Sequence, residues 1–130
     1  MSRLLFRRSF GKIILYSGND IVGSWDAHND TTSSSNGSWP NGKYRWSHYN
    51  SHMEEGLLPG GYLGSFGGQG IHVFSVKGRS GLGVHAGRTW GQPDVLGGKT
   101  LGCIRVTAPA MQKINQTHQK DPLKEIEISS

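Results

Sequence analysis

One cysteine and one histidine carry the clearest chemical signal in this sequence of 130 residues. Cys103 lies where a long glycine-rich segment passes into the strand-like step 104–106, and His85 ends the predicted strand 82–85 that precedes this segment. A thiol with the usual pKa of roughly 8.5 is mostly protonated at neutral pH and is then a weak nucleophile. A neighbouring imidazole takes the proton and stabilises the thiolate. The pair therefore predicts covalent acyl-transfer chemistry with Cys103 as nucleophile and His85 as base.

A structural role for Cys103 is the alternative. The single cysteine excludes an intramolecular disulfide, and a lone cysteine is most often a small buried apolar residue. A core cysteine belongs inside an apolar strand, whereas Cys103 follows Gly102 at the end of a loop. Gly102 leaves room for a substrate carbonyl, and backbone amides of this turn are candidates for an oxyanion hole. Papain-like enzymes place cysteine before histidine, so the order found here argues against that class.

The composition favours a mainly β domain around this pair. The chain contains 20 glycines, and a glycine inside a helix costs about 1 kcal/mol relative to alanine, so a helical bundle is disfavoured. We expect one domain over residues 1–130. Short apolar or alternating runs predict strands over residues 12–16, 21–26, 43–46, 71–76, 82–85 and 104–106, and an edge strand over 124–128. Residues 29–38, 48–61 and 86–102 are predicted to be loops.

A single helix is predicted directly after the cysteine. Thr107 is a suitable N-cap, and Pro109 is favourable in the first turn. Met111 and Ile114 are three residues apart and predict one buried stripe that runs to about Thr117. The pair Asp121-Pro122 then ends the helix.

Taken together, these residues resemble the L,D-transpeptidase (YkuD-like) catalytic domain. In that family a histidine is followed, after a gap of similar length, by Ser/Thr-His-Gly-Cys, an apolar residue and Asn or Arg. Thr100-Leu101-Gly102-Cys103-Ile104-Arg105 stands at this place here. Further upstream, Trp39-Pro40-Asn41-Gly42-Lys43-Tyr44 is similar to the family's Thr-Pro-x-Gly-x-Phe segment. Leu101 departs from the family because it replaces the second histidine of the motif.

The resemblance implies a mixed β-sandwich or barrel with one helix after the catalytic cysteine. It implies that Cys103 is the nucleophile and His85 the base, and that the backbone carbonyl of Ala86 or Gly87 orients the imidazole. Thr100 and Arg105 would flank the site, and the backbone at Gly102 and Leu101 would form the oxyanion hole. No cofactor is implied.

The implied substrate is a peptidoglycan stem peptide. Cys103 would form a thioester at the diaminopimelate carbonyl and expel the terminal D-alanine. Water, an amine of a second stem or a free D-amino acid would then accept the acyl group, which corresponds to carboxypeptidase, transpeptidase or exchange activity. A non-catalytic module that binds cell-wall peptides on the same fold is the alternative, and Leu101 is the feature that favours it.

Several further residues have both a functional and a structural interpretation. Trp90 lies between base and nucleophile and either shapes the substrate groove or anchors the loop. Arg88 either binds a substrate carboxylate or is solvated, and His72 either lies near the cleft or is a hydrogen-bonded strand residue. His48 and His52 would share one face of a helix, but the glycines and the proline that follow make a helix doubtful. We therefore expect no metal site.

The charge and the hydropathy of the sequence limit the classes of binding partner that we expect. The formal charge is +5, but the basic residues are scattered, with only Arg7 and Arg8 adjacent. This pattern favours peptide carboxylates or anionic wall polymers over nucleic acid. No apolar run approaches the roughly 20 residues of a membrane span, and residues 1–8 hold only three consecutive apolar residues, too few for a signal peptide.

These features lead to an expectation about the place of action. The protein would be made in the cytoplasm and would reach the periplasm or cell wall by non-Sec export or lysis. A type VI secretion effector, which would have an immunity protein as partner, or a phage wall enzyme would fit this description.

Overall fold

The computed structural model describes residues 1–31, 37, 39–51, 62–63, 68–87, 89–90, 96–97, 100 and 102–130, with the backbone alone for 62–63 and 89–90. The elements of this part of the chain are ten strands, a 3-10 turn at Arg8–Phe10 and one α-helix. The strands are β1 (Ser2–Arg7), β2 (Lys12–Ser17), β3 (Asp20–His28), β4 (Gly42–Asn50), β5 (Tyr62–Leu63), β6 (Ile71–Phe74), β7 (Gly83–His85), β8 (Thr89–Trp90), β9 (Ile104–Val106) and β10 (Leu123–Ser129). The helix, α1 (Ala108–Lys120), lies between β9 and β10.

Eight strands close a barrel in the order β1-β10-β4-β6-β7-β9-β3-β2, and β5 pairs with β8 in a separate two-stranded sheet. The pairs β1–β10 and β7–β9 are parallel, whereas the other barrel pairs are antiparallel. The predicted mainly β fold with one helix after Cys103 is confirmed.

The strand β1 was not predicted, although its sequence carries the signal. Ser2, Leu4 and Phe6 are buried and alternate with more exposed residues, which is the period of a strand with one buried face. Because β1 lies beside β10, the prediction that residues 124–128 form an edge strand is wrong. The strand β10 hydrogen-bonds to β1 on one side and to β4 on the other.

The strand β4 is longer than predicted and extends into the expected 48–61 loop. Its pairing with β6 shifts register between Trp46 and His48, which lets the strand continue to Asn50. His48 therefore lies on a strand, and His52 lies outside the described residues. The predicted 86–102 loop contains β8, whose backbone pairs with β5.

The helix α1 begins and ends as its sequence signals indicate. Thr107 is the N-cap and accepts a hydrogen bond from the Ala110 amide, and Pro109 lies in the first turn. The helix continues to Lys120, about one turn beyond the buried stripe predicted to Thr117, and Asp121 is its C-cap as the stop signal indicates. Met111 and Ile114 are fully buried and belong to the same hydrophobic core as the barrel strands. No helix in the described part of the chain is long and apolar enough to cross a membrane.

Candidate active site

Strand register brings the predicted nucleophile and base together. The parallel pair β7–β9 places Val84 beside Ile104 and His85 beside Arg105. Cys103 directly precedes β9, and successive side chains of a strand alternate between faces. Continuing this register places Cys103 beside Gly83, on the face that carries His85 and Arg105. Gly83 is required here because a Cβ at this position would collide with the His72 carbonyl of β6.

The imidazole of His85 is held by the main chain. His85 is buried, and its Nδ1 lies 2.8 Å from the carbonyl oxygen of Ala86. A carbonyl only accepts, so Nδ1 carries the proton in the neutral ring and Nε2 carries the lone pair that a base needs. The same carbonyl accepts a hydrogen bond from Arg105 Nη1 at 3.0 Å. Of the two predicted carbonyls, Ala86 makes this contact, while that of Gly87 packs against Gly97.

The Cys103 thiol is partly exposed, and its surroundings act on its pKa in opposite directions. Its Sγ lies 3.5 Å from the carbonyl oxygen of Gly81, to which the neutral thiol donates weakly. Burial raises the pKa of the Cys103 thiol, and a backbone hydrogen bond from Gly83 and the charges of Arg105 and Arg79 offset part of that rise. The resting thiol is therefore neutral and needs a base before it can attack.

The turn before the cysteine is fixed by Thr100. The Thr100 hydroxyl accepts a hydrogen bond from the Gly102 amide at 3.0 Å and donates to the Cys103 carbonyl at 2.7 Å. The Thr100 amide donates to the Asp30 carbonyl, which ties the turn to the end of β3. The Gly102 amide, predicted as an oxyanion-hole donor, is thus engaged by Thr100. Leu101, the other predicted contributor, lies outside the described residues.

Gly102 adopts a backbone conformation that other residues rarely adopt. Its φ is +129°, and a Cβ there would lie 2.7 Å from Arg79 Nη2 and 2.9 Å from the Gly37 carbonyl. Both the dihedral angle and the surroundings therefore require glycine next to the thiol.

An open groove of about 550 Å³ adjoins this turn. Its polar lining comes from β4 and from the segment between β6 and β7, and consists of Ser47, His48, Ser75, Lys77, Arg79 and Ser80. Gly81, whose carbonyl contacts the thiol, also lines it. The nucleophile therefore lies next to a basic groove.

Solved structures share this architecture. The chain superposes on the L,D-transpeptidase of Xylanimonas cellulosilytica with a TM-score of 0.58 and 16% identity, covering 98% of this chain and 59% of that one. For L,D-transpeptidase 1 of Mycobacterium tuberculosis the TM-score is 0.56 and the identity 14%, covering 99% and 61%. The fold is that of the L,D-transpeptidases.

A third structure with the L,D-transpeptidase fold is the helical cell shape determining protein Pgp2 of Campylobacter jejuni. Its TM-score is 0.62 and its identity 14%, covering 98% of this chain and 46% of that one. The chain thus spans between 46% and 61% of the length of these three structures. Neither a protein-family model nor a curated protein matches the sequence.

Within this L,D-transpeptidase fold, two residues that the sequence analysis did not single out contact the site. His28 lies opposite Arg105 in the β3–β9 pair, and its Nε2 lies 2.7 Å from the Gly97 carbonyl, while Nδ1 accepts from the Asp30 amide. His28 therefore holds the loop that leads to Thr100. Arg79 reaches Gly102 from the β6–β7 hairpin. Neither lies in the motif: strand pairing places His28 opposite Arg105, and the β6–β7 hairpin places Arg79 against Gly102.

His72 lies elsewhere in the L,D-transpeptidase fold. It pairs with Val84, not His85, so it projects from the opposite face of the sheet. It is buried beneath α1, where its Nδ1 accepts from Trp46 Nε1 at 3.1 Å and its Nε2 lies 2.7 Å from Asn115 Oδ1. Burial lowers the pKa of His72 to about 4. The structural interpretation of this histidine is therefore favoured over contact with substrate.

The remaining predicted residues fall into two groups. Thr100 hydrogen-bonds to the Cys103 carbonyl and Arg105 lies two residues after Cys103 on β9, whereas Arg88 and the side chain of Trp90 lie outside the described residues. Over the described ranges, no three His, Cys, Asp or Glu side chains cluster as metal ligands.

Proposed function

We propose that this protein is a cysteine acyltransferase or hydrolase that acts on peptidoglycan stem peptides. The observation that carries the proposal is the imidazole of His85, whose Nδ1 is bonded to the Ala86 carbonyl and whose basic Nε2 belongs to the strand face that carries Cys103. The L,D-transpeptidase fold and the Thr100–Arg105 motif support the substrate class.

The proposed first step is attack of Cys103 on the acyl carbonyl. Nε2 of His85 takes the thiol proton as the sulfur bonds to the carbonyl carbon of the diaminopimelate residue. Since the Gly102 amide is engaged by Thr100, the Cys103 amide is the candidate donor to the developing oxyanion. When the tetrahedral intermediate collapses, the carbon–nitrogen bond breaks and the imidazolium protonates the departing amine of D-alanine.

In the second step the thioester passes its acyl group to an acceptor. The acceptor is water, the amine of a second stem or a free D-amino acid. Nε2 of His85 takes a proton from this acceptor as the acceptor attacks the thioester carbonyl. The imidazolium then returns the proton to sulfur as the thioester bond breaks. Arg105 has a positioning role because its guanidinium and the imidazole share one carbonyl oxygen.

The test is turnover of muropeptide tetrapeptides, with mass spectrometry of peptide and protein. We expect loss or exchange of the terminal D-alanine with the wild-type protein and none with Cys103→Ala. His85→Gln should lower the rate by about 100-fold or more, since it removes the general base. No loss or exchange of D-alanine by the wild-type protein would leave the non-catalytic binding module as the better description.

We further propose that the protein acts on the wall in the periplasm, as an antibacterial effector or phage wall enzyme. Expression directed to the periplasm should arrest growth, whereas cytoplasmic expression or periplasmic Cys103→Ala should not. Growth arrest by the Cys103→Ala variant would contradict an enzymatic mode of action. An effector would also have an immunity protein, which should restore growth when co-produced.

A further inference from the structure

The basic groove adjoins the nucleophile through Gly81 and Arg79. Gly81 is part of the groove lining, and its carbonyl oxygen lies 3.5 Å from Cys103 Sγ. A ligand in the groove would therefore lie beside the residue whose carbonyl contacts the sulfur. The groove has about 550 Å³, a volume typical of sites for small peptides and drug-sized ligands.

Arg79 stands where the groove meets the cysteine turn. Its Nη2 lies 2.7 Å from the position that a Cβ on Gly102 would occupy, so the guanidinium lies directly against the backbone before Cys103. The hairpin holds it there, because the Arg79 amide donates to the Val76 carbonyl at 3.0 Å and the two residues form a β-bridge. The charge of Arg79 also acts on the thiol, as the pKa of Cys103 indicates.

The groove lining is cationic. Lys77 and Arg79 both line it, and none of the described residues that line the groove is acidic. A guanidinium binds planar anions through two parallel hydrogen bonds, and carboxylate is the anion that a peptide supplies.

We propose that this groove binds a carboxylate of the acyl-donor peptide and that Arg79 is the residue that contacts it. The inference rests on the proposed function for the identity of the peptide. It assigns to Arg79, which is outside the Thr100–Arg105 motif, the placement of the donor peptide relative to the sulfur.

The test begins with binding, which needs no catalysis. Calorimetry would measure the dissociation constant of the stem tetrapeptide for the Cys103→Ala protein. The same measurement would be made after Arg79→Gln, Arg79→Lys or Lys124→Gln is added to that protein. Loss of a charge-assisted hydrogen bond should weaken binding by about 10- to 100-fold for Arg79→Gln. Arg79→Lys should retain part of the affinity. Lys124→Gln is the control, because Lys124 is exposed on β10 and outside the groove lining, and it should change the affinity by less than about 3-fold. Thermal unfolding of each variant checks that the fold is retained.

Amidated peptides then identify the carboxylate. Each carboxylate of the tetrapeptide is amidated in turn. One of the amidated peptides should bind with equal affinity to the Arg79→Gln protein and to the protein that retains Arg79. The reason is that this peptide already lacks the carboxylate that Arg79 contacts. An unchanged affinity in Arg79→Gln for the intact peptide would overturn the proposal. Equal weakening for every amidated form would also overturn it.

The two proposals fail in different ways. If wild-type protein turns over the peptide and Arg79→Gln has an unchanged KM, the proposed enzymatic function stands and the proposed carboxylate site is rejected. If the peptide binds in an Arg79-dependent way but is not turned over, the proposed carboxylate site stands and the proposed enzymatic function is rejected. An oligonucleotide could instead bind more tightly than the stem peptide, with an affinity that depends steeply on salt and on Arg79. That result would assign the groove to phosphate and overturn the peptide assignment.

Discussion

The glycine before the nucleophile offers a direct test of how the cysteine turn is held. Gly102→Ala should destabilise the fold by about 1 to 3 kcal/mol, because alanine at φ +129° is strained and its Cβ would press against Arg79 and the Gly37 carbonyl. Turnover should fall as well, because a shift of this turn in the variant would displace Cys103. Urea unfolding and peptide turnover measure the two effects.

Gly78→Ala is the matched control for this substitution. Gly78 has a φ of +76°, and a Cβ there would meet nothing within 4 Å. It should show the backbone cost alone and leave turnover nearly unchanged. Equal effects of the two substitutions on turnover would mean that contact with Arg79 does not place the cysteine.

The ionisation of Cys103 predicts a pH dependence. Since burial raises the pKa of the thiol, the rate of alkylation by iodoacetamide should rise with pH, with a midpoint above that of an exposed thiol. Arg79→Gln should move the midpoint higher still because a nearby cation is removed, whereas Lys77→Gln serves as the control. A midpoint below the ordinary thiol value would mean that the resting site holds a thiolate–imidazolium pair.

Beneath the helix α1, His72 makes the stability of the fold dependent on pH. Its pKa is about 4 in the folded protein and about 6.5 in the unfolded chain, so between these values the unfolded chain binds a proton that the folded one does not. Stability is therefore full above the unfolded pKa and falls as pH drops toward the folded pKa. We expect a loss of about 2 kcal/mol between pH 7 and pH 5 from this residue.

Urea unfolding across this pH range tests the expectation. His72→Gln should flatten the dependence, because glutamine does not titrate. His118 contacts His72 edge to face, and burial lowers its pKa in the same direction, but it is half-buried, so His118→Gln should flatten the dependence less. An equal slope in wild type and His72→Gln would assign the acid sensitivity to other groups.

Local signals predicted the elements that lie near the site. The cap at Thr107, Pro109 and the Asp121-Pro122 stop together specify α1, and the short apolar runs specify β2, β3, β6, β7 and β9. The positions of His28 and Arg79 could not be predicted, because they depend on which strands become neighbours and on the register between them. His72 could not be placed either, since the alternation of a strand gives two faces without saying which one α1 covers.

For the whole molecule, β10 is the strand on which barrel closure depends. It follows α1 in the chain and joins β1 to β4, so it connects the first strand of the chain to the strand that lines the groove. Ile126 is fully buried at its centre. Ile126→Ala should lower the free energy of unfolding by about 2 to 5 kcal/mol, a large part of the stability of a domain of this size.

Lys124→Ala on the same strand is the control, because Lys124 is exposed and should change stability by less than about 0.5 kcal/mol. Chemical denaturation of the two variants measures the difference. Similar stabilities would mean that β10 is peripheral to the cooperative unit. The barrel itself was predicted only through the resemblance, since the parallel β1–β10 pair joins residues more than a hundred positions apart and leaves no local signal.

The carbonyl that holds both His85 and Arg105 belongs to the main chain of Ala86. No exchange of one amino acid for another deletes a peptide oxygen, so position 86 tolerates any side chain that its space admits without loss of this acceptor. An alanine scan of the site would accordingly register a dyad and pass over its third member. Chemical synthesis that replaces an amide by an ester can weaken that oxygen as an acceptor, and it reaches a group that genetic variation leaves untouched.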